Sequence, residues 1–392
     1  MYPGVVMLLS NPFRPDPRVL KEATGLHSAG YRVTIICWDR SAELPQEERH
    51  ISGIRIIRIH TVPSAYGLGM KQLLRIPRFW AAVWPLLNQL KPDILHCHDF
   101  DTLPVGLVWG KLHKIPVIYD AHEYFAELCR PRLTGILGSL IYYGIRFAEM
   151  MCTKFTSGVI TVDEFLAEIF HRRNRRVIII GHYPSPHLFN HTAPVFSRQV
   201  LHLLYIGRLS QDRGMLAYIS ILRCLLQSGV NARLILAGVF TPAEEEALIR
   251  SNLDGIEDRV EITGWIPYES IPELLYKCDV GLAILQPIPR YVNALPVKLF
   301  EYMAAGLPVI ASNFPTISHL VATHDCGILV EPDSPPEFIA DQIIHWRRSP
   351  SIPARLGENG REAIVHFYNW ELLLQKLVAL YEELLADKPT NP

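Results

Sequence analysis

No run of apolar residues in this chain approaches the roughly 18 that a membrane-crossing helix needs, so no span is expected. The seven cysteines (Cys37, Cys97, Cys129, Cys152, Cys224, Cys278 and Cys326) are odd in number and never in C-x-x-C spacing. That pattern speaks against a disulfide frame or a cysteine-based zinc site and fits reduced thiols in a cytoplasmic setting. A net charge of −1, without an acidic or basic tail, gives no electrostatic case for nucleic acid as a partner. There is no G-x-G-x-x-G, and a dinucleotide-binding reading loses its main support. Internal repeats and low-complexity segments are also missing. The first residues enter the apolar run Val5 to Leu9 with no basic segment or cleavage site before it, so no signal peptide is expected.

What is present is apolar substance for two cores: 49% hydrophobic against 20% charged residues over 392 positions. Short apolar runs at 5–9, 33–38, 54–59, 94–97, 117–119, 158–162 and 177–180 recur with helix-length segments between them. Continuous rather than alternating hydrophobicity suits strands buried on both faces of a parallel sheet, hence a doubly wound α/β domain. From 181 to 197 the period breaks in GHYPSPHLFNHTAPVFS, which reads as an inter-domain linker. Strand runs resume at 201–206, 234–238 and 260–264, and a closing helix over about 370–386 carries leucines at helical spacing.

Parallel sheets of this kind bind ligands beyond the carboxyl ends of their strands, so the polar residues just after each run are the candidates. The first run leads into a proline-rich loop with Asp16 and Arg18, which either contact acceptor or phosphate or form a local ion pair shaping the loop. The fourth ends in Leu95-His96-Cys97-His98-Asp99-Phe100-Asp101. Two histidines and two aspartates raise the question of a metal, but alternation sends 96 and 98 to one face and 97 and 99 to the other. No metal site is assigned. The next run ends in Asp120-Ala121-His122-Glu123; His122 is either a contact for sugar or acceptor or a satisfied buried histidine.

In the second half, Gly207-Arg208-Leu209-Ser210-Gln211-Asp212-Arg213-Gly214 puts two cations at a strand end, where they can bind a diphosphate or pair with Asp212. The stretch 280–312, VGLAILQPIPRYVNALPVKLFEYMAAGLPVIAS, parses as strand, loop, helix, stop and strand. Pro296 suits a first helical turn and Gly306 a helix stop. Lys298 and Glu301 are three apart and share a face. The lysine lies where the free N–H groups of a helix start favour an anion, and the carboxylate can accept two hydrogen bonds from a vicinal diol. Together they describe a place for a phosphate followed by a sugar, or else an ordinary ion pair on a solvated helix. Two stretches, Lys71 to Leu90 and Arg130 to Phe155, combine apolar and aromatic residues with flanking cations, which suits either an interfacial helix or one that covers a sheet. The run His171-Arg172-Arg173-Asn174-Arg175-Arg176 meets anionic lipid or is a solvated helix end.

P-V-K-L-F-E-Y-M-A-A-G-L-P-V-I-A-S closely resembles the signature of retaining glycosyltransferases of family 4, with G-R-L-S-x-x-R-G, H-C-H-D, D-A-H-E and D-P-R-V as further points of likeness. The resemblance implies the GT-B fold, two Rossmann-like doubly wound domains facing each other across a cleft. It places acceptor binding in 1–183, with a C-terminal helix 368–388 packing back, a linker at 184–199 and donor binding in 200–367. Carried over position by position, it gives Arg208, Arg213 and Lys298 to the diphosphate and Glu301 to the ribose. Gly238, Trp265, Ile266, Asn293 and Leu299 complete the nucleotide-sugar site. Asp16, Arg18, His98, Asp99, His122 and Glu123 fall to the acceptor side. Arg213 stands where the family more often has Lys, and Asn293 where it often has a Glu touching the donor sugar. The implied activity is transfer from a nucleoside-diphosphate sugar, with UDP expected, to a glycan or lipid-linked acceptor. It needs neither metal nor cofactor and takes place in the cytoplasm, with peripheral contact at the inner face of a membrane if the two cation-flanked stretches meet lipid rather than cover a sheet. A sugar-nucleotide 2-epimerase of the same architecture would instead release UDP and a 2-epimer from donor alone. A non-catalytic partner subunit would bind donor without transfer.

Overall fold

The computed structural model describes residues 2–387 apart from 15, 61–74, 131, 132, 134, 190–195 and 197. Residues 71–74 of one lipid-facing candidate, Arg132 of the other, and 190–195 and 197 of the expected linker therefore lie outside the described residues. The chain divides into two compact units, Met1–His182 with Glu371–Pro392, and Tyr183–Trp370.

The first unit is built on β1 (Gly4–Leu9), β2 (Arg32–Trp38), β3 (Glu47–Arg49), β4 (Arg55–Ile59), β5 (Ile94–His98), β6 (Val117–Ala121), β7 (Gly158–Thr161) and β8 (Val177–Ile179). They form one sheet in the order β3-β4-β2-β1-β5-β6-β7-β8. All neighbours run parallel except β3 against β4. The short β3 has no counterpart among the apolar runs, because Glu-Glu-Arg at a sheet edge buries nothing that hydrophobicity would report. Residues of β1 are buried throughout, as a strand with helices on both faces requires. The helix Pro17–Ser28 starts cleanly: Asp16 accepts from the Arg18 N–H and proline occupies the first turn. The helix Trp370–Ala386 buries Leu377, Leu380, Tyr381 and Leu384, and Tyr381 meets Tyr31 edge-on at 5.4 Å.

The helix Gly135–Lys154 carries a buried acid, Glu149. Its carboxyl accepts from the Tyr119 hydroxyl at 2.8 Å and from the N–H groups of Phe125 and Ala126 at 3.2 Å each. This ties down the helix Phe125–Cys129 directly after the loop that carries His122. Burial pushes Glu149 up to about 7, against the pull of those three donors.

The second unit has β9 (Leu201–Ile206), β10 (Ala232–Ala237), β11 (Val260–Ile262), β12 (Val280–Ala283), β13 (Val309–Ser312) and β14 (Gly327–Val330). They form an all-parallel sheet in the order β11-β10-β9-β12-β13-β14. Alternation along β9 sends Leu201, Leu203 and Tyr205 into one core and Leu204 into the other. Beyond the paired ends of β9 and β10, Gly238 crosses Gly207 so closely that a Cβ on Gly238 would stand 1.8 Å from the Gly207 carbonyl oxygen. No side chain fits there without moving the loop that carries Arg208.

Two outcomes test these arrangements. Glu149 holds its proton in the fold at pH values where the unfolded chain has released it, so stability falls as pH rises from about 4.5 to about 7 and levels off above. The full effect is on the order of 3 kcal/mol; Tm against pH should show that slope in the wild type and lose it in Glu149→Gln, and equal slopes would refute the assignment. Gly238→Ala should cost about 2 kcal/mol in denaturant unfolding through overpacking. An unchanged midpoint would mean that the crossing has slack.

Candidate functional site

Neighbouring strands deliver three imidazoles and a carboxylate to the carboxyl edge of the first sheet. His96 and His98 lie two apart at the end of β5 and share a face, their rings stacked at 4.3 Å. Parallel pairing sets His98 beside Asp120 of β6, and His122 follows two residues on. The Asp120 Oδ2 lies 3.1 Å from His98 Nδ1, 3.3 Å from His96 Nε2 and 3.7 Å from His122 Nε2. His98 Nδ1 is also 3.1 Å from His122 Nε2. Behind them, the Tyr381 hydroxyl reaches His96 Nδ1 at 2.7 Å, and Glu22 approaches His96 Nε2 at 3.8 Å.

The electrostatics follow from burial and proximity. Burial alone would raise the Asp120 carboxyl, but His122, His96 and His98 beside it hold it well below the usual carboxylate range. Burial pushes His122 down to about 3 and His96 to about 4, despite the attraction of Asp120. Glu22 is pushed well above its ordinary range by burial and then by the Asp120 charge. Around Asp120, burial therefore favours the protonated form of Glu22 and the uncharged imidazoles of His96 and His122. A neutral imidazole can donate from one nitrogen and accept at the other. His122 Nδ1 is buried without a hydrogen-bond partner, and so are His98 Nε2 and Glu22 Oε2. Such atoms are where a substrate hydroxyl can enter. Among the described residues, Glu22, His96, His98 and Asp120 also bring one possible ligand atom each to within 4.8 Å of one another, and they are the group that could hold a cation. Strand alternation did not separate the histidines from further donors, because Glu22 and Asp120 arrive from other elements.

Around this cluster, Asp16 and Arg18 form a two-pronged ion pair, Nε to Oδ1 and Nη2 to Oδ2 both at 3.2 Å. The pair shapes the loop, while the Arg18 charge still reaches Asp99 and Asp120. Asp99 adopts a left-handed φ of 61°, and burial followed by Asp101 and Asp120 raises its carboxyl well above the usual range. Glu123 is exposed. His182, which drew no attention in the sequence, lies 6.3 Å from the His122 ring and is lowered to about 4 by burial and then Arg18.

In the second unit the cations gather around Gly207. Lys298, in the first turn of the helix Val297–Ala304, is 5% exposed, so the solvated-pair alternative does not hold. Its Nζ sits 3.5 Å from the centre of the Tyr205 ring and has no hydrogen-bond partner. Burial, then repulsion from Arg213, pushes the amine well below its ordinary range. The Arg208 Nη2 lies 3.2 Å from Asp212 Oδ2 and 3.3 Å from the Tyr291 hydroxyl. Arg213 donates from Nε to the same hydroxyl at 3.0 Å, and that hydroxyl donates to Asp212 at 3.0 Å. Three basic side chains thus face two carboxylates, Asp212 and, beside Lys298, Glu301, an excess that suits an anion. Glu301 follows one turn after Lys298, buried, with its charge helping to raise the half-buried Tyr268 after burial itself. Trp265 is 75% exposed, Ile266 half-buried and Asn293 exposed, whereas the Leu299 side chain is wholly in the core.

Sequence reasoning passed over Tyr205 and Tyr291, which carry no local signal. Glu22 did carry one: it falls with Val19, Ala23 and Leu26 on the buried face of its helix, where an acid is out of place.

Comparison with known proteins adds independent findings. The family model described as Glycosyltransferase Family 4 matches residues 18–182, and the one described as Glycosyl transferases group 1 matches 201–348. A GDP-mannose-dependent alpha-(1-6)-phosphatidylinositol dimannoside mannosyltransferase of Mycobacterium tuberculosis is 25% identical over 360 residues, 85% of this chain and 84% of its own. The sucrose-phosphate synthase of Thermosynechococcus elongatus superposes with a TM-score of 0.75 at 20% identity, over 98% of this chain and 99% of its own. HepE of Anabaena, solved in complex with UDP, does so at 0.67 and 16% identity, over 98% and 100%. With two doubly wound units, ligand-facing strand ends in both, and family matches that take in most of its length, the chain belongs to the family-4 glycosyltransferases and has their GT-B fold.

Proposed function

We propose that this glycosyltransferase moves a sugar from UDP to a glycan or lipid-linked acceptor with retention of configuration, and that no metal assists the leaving group. The observation that carries the reading is Lys298: a buried amine without a hydrogen-bond partner, flanked by Arg208 and Arg213. A diphosphate is the ligand that such a cluster lacks. The three cations would neutralise the charge that grows on the diphosphate as the bond to the sugar lengthens, work that a divalent ion does elsewhere. Glu301, one turn on, accepts from the ribose hydroxyls. In the transfer, the bond from the anomeric carbon to the diphosphate oxygen breaks while a bond to the acceptor oxygen forms on the same face. The acceptor proton passes to the departing phosphate oxygen. His122 positions the acceptor or the sugar and is not a general base; a histidine lowered to about 3 is a poor one at neutral pH. The uracil base is supported by the UDP bound to the Anabaena neighbour, and GDP is the comparison to run, given the mycobacterial relative.

A ligand that binds only the folded state raises Tm. Measured with UDP, GDP and ADP in EDTA, UDP should raise it, and Arg208→Ala and Glu301→Ala should weaken the shift. Turnover in both variants should fall by about 100-fold or more. Near-normal turnover in either would overturn the assignment, and activity lost to EDTA but restored by Mg²⁺ would overturn metal independence. Anomeric NMR of the product decides retention. An anion beside Lys298 strengthens the amine's hold on its proton, so UDP binding should take up protons at any pH where the free amine has begun to release its own. Calorimetry in buffers of different ionisation enthalpy should show this in the wild type but not in Lys298→Met.

A further inference from the structure

The helix Gly135–Lys154 is amphipathic the wrong way round. Its polar interior face holds Glu149 and Thr153 in buried hydrogen bonds, while Ile136, Leu140, Tyr143 and Phe147 are 86%, 65%, 63% and 68% exposed. These four recur at i, i+4, i+7 and i+11, one stripe about 16 Å long. Leu137 flanks the stripe and Phe155 continues it past the helix end, both also exposed. Side chains of this size make a contiguous apolar patch on the order of several hundred Å², more than a freely soluble surface usually leaves bare.

Charge identifies the occupant. The only acid on this helix is Glu149, which is fully buried, while Arg146 and Lys154 are exposed. At the carboxyl end, Asn174 donates from Nδ2 to the carbonyls of Thr153 at 3.2 Å and Thr156 at 2.9 Å. That fastens the turn carrying Arg172, Arg173 and Arg175, all exposed, against the end of the apolar stripe. An apolar stripe on a helix without an exposed acid, bordered by these cations, fits an anionic lipid surface: side chains enter the acyl boundary while arginines meet the headgroups. A second copy of the chain is disfavoured, since a two-fold contact through this face sets cations against cations.

We propose that this face docks the enzyme on an anionic bilayer, and, resting on the transferase reading above, that the acceptor is lipid-linked. The two are coupled through one helix. The buried side of the same helix holds the segment after His122, through Glu149 to the N–H groups of Phe125 and Ala126 and through the Tyr142 hydroxyl, which donates to Glu127. Docking the outer face leaves the segment after His122 one helix diameter, roughly 10 Å, from the lipid surface.

The test is co-sedimentation of the full chain with vesicles of phosphatidylcholine alone or with one third phosphatidylglycerol, at low and high salt. Binding to the anionic vesicles should exceed binding to the neutral ones at least tenfold and weaken with salt. It should fall about tenfold in Leu140→Asp with Phe147→Asp, and also in Arg172→Glu with Arg173→Glu, a surface pair that leaves the fold intact. The UDP-induced Tm shift should be unchanged in both. Equal binding to both vesicles, none to either, or wild-type binding by both variants overturns the proposal. So does a concentration-dependent dimer, seen by light scattering, that the aspartate variant abolishes. A protein that binds anionic vesicles but shows no nucleotide shift upholds the docking face and fails the transferase reading.

Discussion

The first unit depends on one buried carboxylate that cannot be left alone. Asp120 sits on an inner strand, buried from bulk solvent, and an ionised acid there is tolerable only because three imidazoles converge on it. Once that charge is fixed, the rest follows. Burial and that charge push a second acid, Glu22, toward its protonated form, and the imidazole of His122 stays neutral with one ring nitrogen turned to no protein atom. The site is thus prepared to hydrogen-bond an uncharged hydroxyl rather than to bind an ion pair. That suits a sugar or polyol better than a phosphate.

The second unit solves the opposite problem by the same means. There the uncompensated charge is positive, and the protein tolerates it by laying the Lys298 amine on the face of Tyr205 and by sharing Asp212 between Arg208 and the Tyr291 hydroxyl. A ring face is a weak substitute for an anion, so the cluster remains short of negative charge. The glycine crossing at Gly207 and Gly238 is the backbone condition for this, since it lets the cationic loop lie close over the sheet end. One unit is tuned for neutral polar groups and the other for anions, a division that matches the two substrates of a glycosyl transfer.

Much of this was legible in the sequence, for a physical reason. Strands buried on both faces announce themselves as unbroken apolar runs, and in parallel sheets the residues just after such runs face ligands. That rule is enough to single out His98, His122, Arg208 and Arg213. It fails where burial leaves no hydrophobic trace, as in the charged edge strand Glu47–Arg49. It fails again where a partner lies far away in the chain: nothing near His96 points to Tyr381, 285 residues on. The exposed apolar stripe was half legible. Composition gave apolar residues beside cations, but which face they took depended on Glu149 claiming the interior side.

The position of the last helix also bears on how the chain comes to be folded during synthesis. The first unit is discontinuous, closed by residues from Glu371 onward, and Tyr381 is what braces the histidine that leans on Asp120. A ribosome making the chain from its amino end releases all of the second unit before that brace exists. The unit begun first is therefore completed last, and His96 waits for its tyrosine until the closing helix has been made.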